Sequence, residues 1–344
     1  MVDMDNHTNT LPYFLPILPW QATAWQQLVG QIANRRLSHA LLAGGMAGIG
    51  KRAFVWRLVA YLLCQNRTPD AACGQCDDCH WLSSGTHPDL LVLPASAMPN
   101  SEDEPQSIKI DDIRNLQVYC QTKSANVRIV VLDDAENLTV AAANALLKTL
   151  EEPPDDVFLI LISDNPAKLL PTIKSRVQYL PLSPIDRQEA MAYLMGQGFD
   201  AVQADGYLTL SDGAVLKALD LPNQAWFAHR KTWLITFVAL YRQQRTATAA
   251  SEYWQGVLNL SQFCQLSRAM LMDIWRVLLG LPSLHADLSV SEQVGSLSIG
   301  FDYLQDLFTL LDDIELSVGQ NVQERFAYDR LMAQFSPFTQ PIFE

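Results

Sequence analysis

The sequence predicts an α/β domain with a parallel sheet, followed by an all-helical remainder, and three observations carry the prediction. Four apolar runs of strand length fall between amphipathic stretches: "HALLAGG" at 39–45, "DLLVLP" at 89–94, "VRIVVLDDAE" at 127–136 and "VFLILIS" at 157–163. Continuous rather than alternating apolar runs suit strands covered on both faces, the condition of a parallel sheet built from βαβ units. The first run leads through a glycine-rich turn into "KRAFVWRLVAYLLC", which reads as a helix with an apolar stripe. After "LPLSPID" at 180–186 the character changes, and seams such as "SRAMLMDIWRVLLGL" and "FDYLQDLFTLLDDIELSVGQN" have helical spacing.

The expected division is therefore a sheet domain over 1–183 with a cysteine-rich insertion at 64–79, a small helical region over 184–224 ending near Pro222, and a helical domain over 225–344. A chain of 344 residues is long enough for two or three such cores. Lys and Arg number 24 against 37 Asp and Glu, a net charge of −13, which disfavours a chain whose main task is to grip a phosphate backbone. The most apolar stretch, "WLITFVALY" at 233–241, is about half the length of a membrane span and reads as a buried helix. The opening "MVDMDNHTNTLPYF" has no basic segment followed by an apolar one, so the expectation is a cytoplasmic protein without a secretory leader.

The turn "GGMAGIGKR" carries the first chemistry. Gly45, Gly50 and Lys51 have the spacing G-x-x-x-x-G-K between a strand and a helix. Glycines there let backbone amides converge on a phosphate, and the helix start and the lysine add positive charge. The next position calls for a Ser or Thr hydroxyl to ligate Mg²⁺, but Arg52 offers a permanent cation and no lone pair. Asp133, ending the third apolar run, could hold magnesium through water. Asp134 follows where an active ATPase of this architecture has a glutamate, and it is one methylene shorter, so it is misplaced to orient a water. The plainer readings are a ligand-free glycine turn and a helix-capping aspartate pair.

Cys64, Cys73, Cys76 and Cys79 lie within 16 residues, spaced C-x8-C-x2-C-x2-C. Four thiolates this close can close a tetrahedral zinc site of structural type, with Gly74 allowing the tight turn. An iron–sulfur cluster, a disulfide and free thiols are the alternatives; the run lacks the x3-C-P continuation of a ferredoxin, since "HWLSS" follows Cys79. His80 and His87 are secondary candidates as ligands. A zinc-dependent nucleic-acid module is disfavoured, because "AACGQCDDCHW" contains two aspartates and no Lys or Arg.

Taken together, the degenerate phosphate loop, the four-cysteine insertion after its helix, "THPDLLVL", "DDAENLTVAAANALLKTLEEPP" and "IKSR" resemble the delta-prime clamp-loader subunits of bacterial DNA polymerase III, in the AAA+ superfamily. The resemblance is specific over about residues 12–185 and extends more weakly to "NVQERFAYDRL" near the C-terminus. It implies an AAA+ domain with a zinc insertion, a helical lid and a C-terminal collar that joins subunits into a hetero-oligomeric ring. It further implies motor (gamma/tau) and delta subunits as partners and, through the complex, the sliding clamp and primed DNA, with no membrane.

In that family a Ser-Arg-Cys triplet supplies an arginine finger to a neighbour's ATP. Ser175 and Arg176 match it, and Val177 departs from it. The polar side of the 139–152 helix, Asn144, Lys148 and Glu151, is implied to face another subunit. The lid arginine that senses nucleotide in active relatives is replaced by Leu216, with Lys217 expected to turn away on the helix. The residues near Ser163–Asn165 are polar and decide nothing. The reading that results is a subunit without ATPase or polymerase chemistry of its own. Nucleotide binding without turnover, or slow hydrolysis through Lys51, Asp133 and Asp134, is the alternative.

Overall fold

In a computed structural model, residues 11–99, 101, 107–122, 127–285, 287–318 and 324–336 are described. The first ten residues, on which the reading of the N-terminus partly rests, and positions 321–323 of the C-terminal phrase lie outside them. Two compact units emerge, Met1–Tyr193 with Ala214–Lys217, and Leu194–Gly213 with Ala218–Glu344.

The first unit holds one sheet of five parallel strands in the order β2-β3-β4-β1-β5. Along the chain come α1 (Ala22–Ala33), β1 (Ala40–Gly44), α2 (Lys51–Leu63), α3 (Asp77–Ser84), β2 (Leu90–Leu93), α4 (Ile110–Gln121), β3 (Arg128–Leu132), α5 (Val140–Glu151), β4 (Val157–Ser163), α6 (Pro171–Lys174) and β5 (Gln178–Tyr179). All four apolar runs form strands. The short edge strand β5 has no counterpart among them, because its two residues are polar or amphipathic and only half of the pair is shielded.

Side-chain alternation explains why those runs are continuous. Leu41, Ala43, Ile129, Val131, Ile160 and Ile162 enter one core with α1 and α2, whereas Ala40, Leu42, Val130, Leu132, Leu159 and Leu161 enter a second with α4 and α5. The α2 helix departs from the expected single stripe: Phe54, Val55, Trp56, Leu58, Val59, Ala60, Tyr61 and Leu62 are all buried. From Phe54 onward only Arg57 is not buried, so the helix is covered on nearly every side. Thr139 caps α5, its hydroxyl accepting from the Ala142 N–H at 3.2 Å, while Pro153 and Pro154 stand just past the helix end.

The second unit is helical: α8 (Ala201–Leu210), α10 (Arg230–Tyr241), α11 (Ala247–Gln255), α12 (Leu260–Leu278), α13 (Val290–Val294), α14 (Phe301–Val318) and α15 (Glu324–Gln334), after α7 (Arg187–Gly196) and around α9 (Val215–Asp220), both of which lie at the division between units. Its core is a single cluster including Trp233, Phe237, Trp254, Phe263, Leu307 and Tyr328. The "WLITFVALY" stretch is the buried body of α10, and among the described residues no helix is long and apolar enough to cross a membrane.

Candidate functional site

Parallel strands direct their carboxyl ends to one edge of the sheet, and in open α/β sheets that edge receives ligands. β3, β4 and β1 are neighbours there, in register Leu132↔Leu161 and Gly44↔Ser163. The glycine turn after β1, Asp133 after β3 and Asp164 after β4 consequently meet. Gly45, Gly48 and Gly50 have φ of 148°, 90° and 81°, the left-handed half of the map that glycine tolerates.

The cations of this turn are already engaged. Lys51 is 2% exposed; its ammonium donates to Asp164 Oδ1 and, at 3.1 Å, to the Met46 carbonyl. The Arg52 guanidinium spans three carboxylates. Its Nε lies 2.8 Å from Asp133 Oδ2, one terminal nitrogen 3.0 Å from Asp164 Oδ2, and the other 2.7 Å from Asp134 Oδ1. Burial opposes its charge, but the Asp133 hydrogen bond, then the Asp133 and Asp164 charges, raise Arg52 further above its ordinary value. Asp164 is partly desolvated yet is held below the usual carboxylate range by Lys51 and Arg52. Asp134 moves upward, through burial first and the Asp133 charge second, against the pull of Arg52. Asp133 and Asp134 therefore serve as anions for Arg52. Neither side chain accepts a helix-capping hydrogen bond, and Asp133 Oδ1 instead accepts the N–H of Asp134 at 2.8 Å.

The rest of the turn is packed by its own chain. Trp20 Nε1 donates to the Ile49 carbonyl at 3.0 Å and Gln21 Nε2 to the Gly50 carbonyl at 3.1 Å. The Leu216 N–H donates to the Gly48 carbonyl at 2.9 Å. A methyl group built on Gly48 would fall 2.6 Å from Lys217 Cγ, and one on Gly50 3.5 Å from Leu216 Cδ1. Lys217 therefore does not turn away from the loop, as its place on a helix led us to expect. The helix start is docked directly on the turn, so its second and third side chains, Leu216 and Lys217, both flank it. Asp164 was not singled out in the sequence, and neither was Glu136, whose Oε1 accepts the N–H groups of Asp164 and Asn165 at 2.8 and 3.0 Å. The signal available for Asp164 was its position just past an apolar strand, shared with Asp133.

Arg176 lies away from this network, just past α6. One terminal nitrogen donates to the Thr172 carbonyl at 2.9 Å and to Ser175 Oγ at 3.2 Å. The other lies 2.6 Å from Glu151 Oε1 at the end of α5, and the Arg176 and Glu151 side chains are 34% and 49% exposed. Asn144, Lys148 and Glu151 are exposed together on α5, with Leu146 and Leu150 buried beneath them.

The four cysteines converge. Cys64 ends α2, Cys76 precedes α3, Cys79 lies within it and Cys73 occupies the loop between. All four sulfurs lie within 4.8 Å of one another, with Cys64–Cys76, Cys73–Cys79 and Cys76–Cys79 separations of 3.9, 4.0 and 3.6 Å. Four sulfurs about 2.3 Å from one tetrahedral ion stand about 3.8 Å apart, so the set fits a single metal ion, whereas a multi-iron cluster would spread its ligands wider. Sulfur-directed N–H groups add to the fit. Gln75 and Cys76 donate to Cys73 Sγ at 3.4 and 3.3 Å, holding this thiol down to about 6, and Cys73 donates to Cys64 Sγ at 3.2 Å. Burial raises Cys64 and Cys79, an effect that coordination to a cation reverses. His87 is not part of the cluster: its Nε2 faces Asp78 Oδ1 at 3.4 Å and its Nδ1 accepts the Asp89 N–H.

These features define a class: a phosphate-loop α/β domain whose loop cations are neutralised internally, with a four-cysteine cluster able to hold a metal ion between the end of the loop's helix and the helix that follows. The family model described as "DNA polymerase III, delta subunit" matches residues 20–186. A DNA polymerase III subunit delta' from Pseudomonas aeruginosa is 39% identical over 74% of this chain and 77% of its own length. The Yersinia pestis delta' subunit is 37% identical over 58% of this chain and 59% of its length, and a Salmonella typhimurium DNA polymerase III subunit tau is 30% identical over 60% and 34%. The chain belongs to the delta' subunit family of DNA polymerase III.

Proposed function

We propose that this chain is a non-catalytic subunit of the DNA polymerase III clamp loader, which contributes Arg176, oriented by Ser175, to ATP held by a neighbouring motor subunit. The observation that carries this reading is the Arg52 guanidinium bound by Asp133, Asp134 and Asp164. A divalent cation bound to nucleotide would need those carboxylates, and a phosphate would need Lys51, which Asp164 already pairs. The chain's own site is closed by its own residues, so Gly45, Gly50, Lys51 and Asp133 keep the strand–helix turn without performing hydrolysis. Arg176 is half-exposed on a surface corner, where a planar cation can meet charge that develops on a phosphate from outside.

The partners of this reading are the gamma/tau and delta subunits and, through the complex, the sliding clamp and primed DNA. Residues 1–183 form the nucleotide-domain-like body, 184–224 the lid and 225–344 the collar that joins neighbours. Zn²⁺ is the ion proposed for Cys64, Cys73, Cys76 and Cys79. Four thiolates leave no open coordination position, so the ion staples α2 to α3 and takes no part in chemistry.

The test is Arg176→Ala in a loader reconstituted with its cognate subunits. Full finger removal at one site lowers turnover by roughly 10³–10⁵. A ring with other intact sites should show a smaller loss, set by the share of turnover that depends on this site, with the folding of the isolated subunit unchanged. Normal turnover by that loader would remove the finger assignment.

A further inference from the structure

Arg176 is held by the last residue of a different helix, and this contact has the properties of a releasable one. Its guanidinium is divided between two elements: one terminal nitrogen on Thr172 O and Ser175 Oγ, the other on the Glu151 carboxylate at 2.6 Å. Glu151 closes α5, where the carbonyl ends add to the negative potential that attracts a cation. After Glu152, Pro153 and Pro154 prevent the helix from continuing, which fixes where that carboxylate stands.

We propose that Glu151 is the resting counter-ion of Arg176: a positioning residue that keeps the guanidinium at the end of α5 and yields it to the phosphate of a docked neighbour. The inference rests on the reading of Arg176 as a finger. Its physical basis is competition. With 34% and 49% of the two side chains exposed, water and salt weaken the pair, so exchange requires little. A terminal phosphate brings more negative charge and more acceptor oxygens than one carboxylate, and therefore takes the guanidinium from Glu151. The backbone carbonyl of Thr172 and the Ser175 hydroxyl remain as anchors during exchange, so the finger is handed over without becoming disordered.

The experiment compares loaders reconstituted with wild-type chain, Glu151→Gln, Glu151→Ala and Arg176→Ala, measuring ATP turnover against ATP concentration at low and high salt. Removing the competing charge should lower KM for ATP by about two- to five-fold, the range a half-exposed ion pair provides, with kcat within about twofold of wild type. Salt should shrink the difference by screening the pair in the wild-type loader. Glu151→Gln should behave like Glu151→Ala in KM while keeping a hydrogen-bond acceptor for the arginine, which separates charge competition from simple stapling of α5 to α6. An unchanged KM, or a fall in kcat like that of Arg176→Ala, overturns the counter-ion role. If Arg176→Ala is impaired while the Glu151 variants match wild type, only this inference fails; if Arg176→Ala turns over normally, the finger reading fails with it.

Discussion

Two arginines of the first unit each bind carboxylates, yet their surroundings leave them differently available. Arg52 touches three carboxylates beside the 2%-exposed Lys51, with Asp133 itself nearly buried, so each group answers another and little is left to offer a ligand. Arg176 has one carboxylate at a half-exposed corner and two neutral anchors. Neutralisation in a partly desolvated network fixes a structure, whereas a screened single pair stores a cation in usable form. On the proposed reading, the same residue type closes one site and is offered to another.

The largest expected effect tests whether the closed edge depends on distant supports. Helix α2 begins at Lys51 and Arg52 and ends against Cys64. Elemental analysis should find one zinc per chain. Removing it, or substituting Cys76→Ser, should lower Tm by more than about 5 °C, since structural metal sites contribute folding free energy directly. Stripped protein that gained ATP binding would show that the loop is held shut by the metal module rather than by Arg52.

Next in size, Arg52→Ala leaves Asp133, Asp134 and Asp164 facing one another without their shared cation. Breaking a fully buried pair costs about 3–5 kcal/mol; with Arg52 38% exposed, about 1–2 kcal/mol is expected from denaturant unfolding. A variant as stable as wild type would reduce the network to a surface decoration.

The smallest effect is on acid stability. Asp164 has a depressed folded value, so its contribution is complete above its unfolded value of about 3.9 and is lost as pH falls through the folded one. Asp134 is shifted upward and acts in the opposite sense, relieving a penalty as it protonates. Asp164→Asn should therefore flatten the loss of stability below about pH 4. Urea midpoints measured across that range that fall as steeply for the variant as for wild type would contradict the assignment.

Much of this contrast was readable in the sequence, and the unread parts share a cause. Apolar runs announce buried strands because each face of the sheet needs its own core. Cysteine spacing announces convergence because the ligands are near in the chain. Arg52 and Arg176 were visible as a misplaced and a kept arginine. Their pairing with Asp164 and Glu151 was not, since the pairs join positions 112 and 25 residues apart, and only the adjacency of β3, β4 and β1 or of α5 and α6 makes them neighbours. Lys217 was misjudged for a similar reason: a helical wheel gives direction about an axis, not what that axis is docked against. β5 was too short for any periodicity to register.

On the proposed function, this chain closes its own nucleotide site while keeping an arginine for another. Calorimetric titration of the isolated protein with Mg²⁺–ATP, alongside Arg52→Thr, tests it most directly. The wild-type chain should neither bind nor hydrolyse nucleotide at millimolar ATP, and nucleotide-dependent heat should appear only in the variant, whose loop gains a hydroxyl and loses the competing cation. Stoichiometric ATP binding with turnover by the wild-type protein would contradict it.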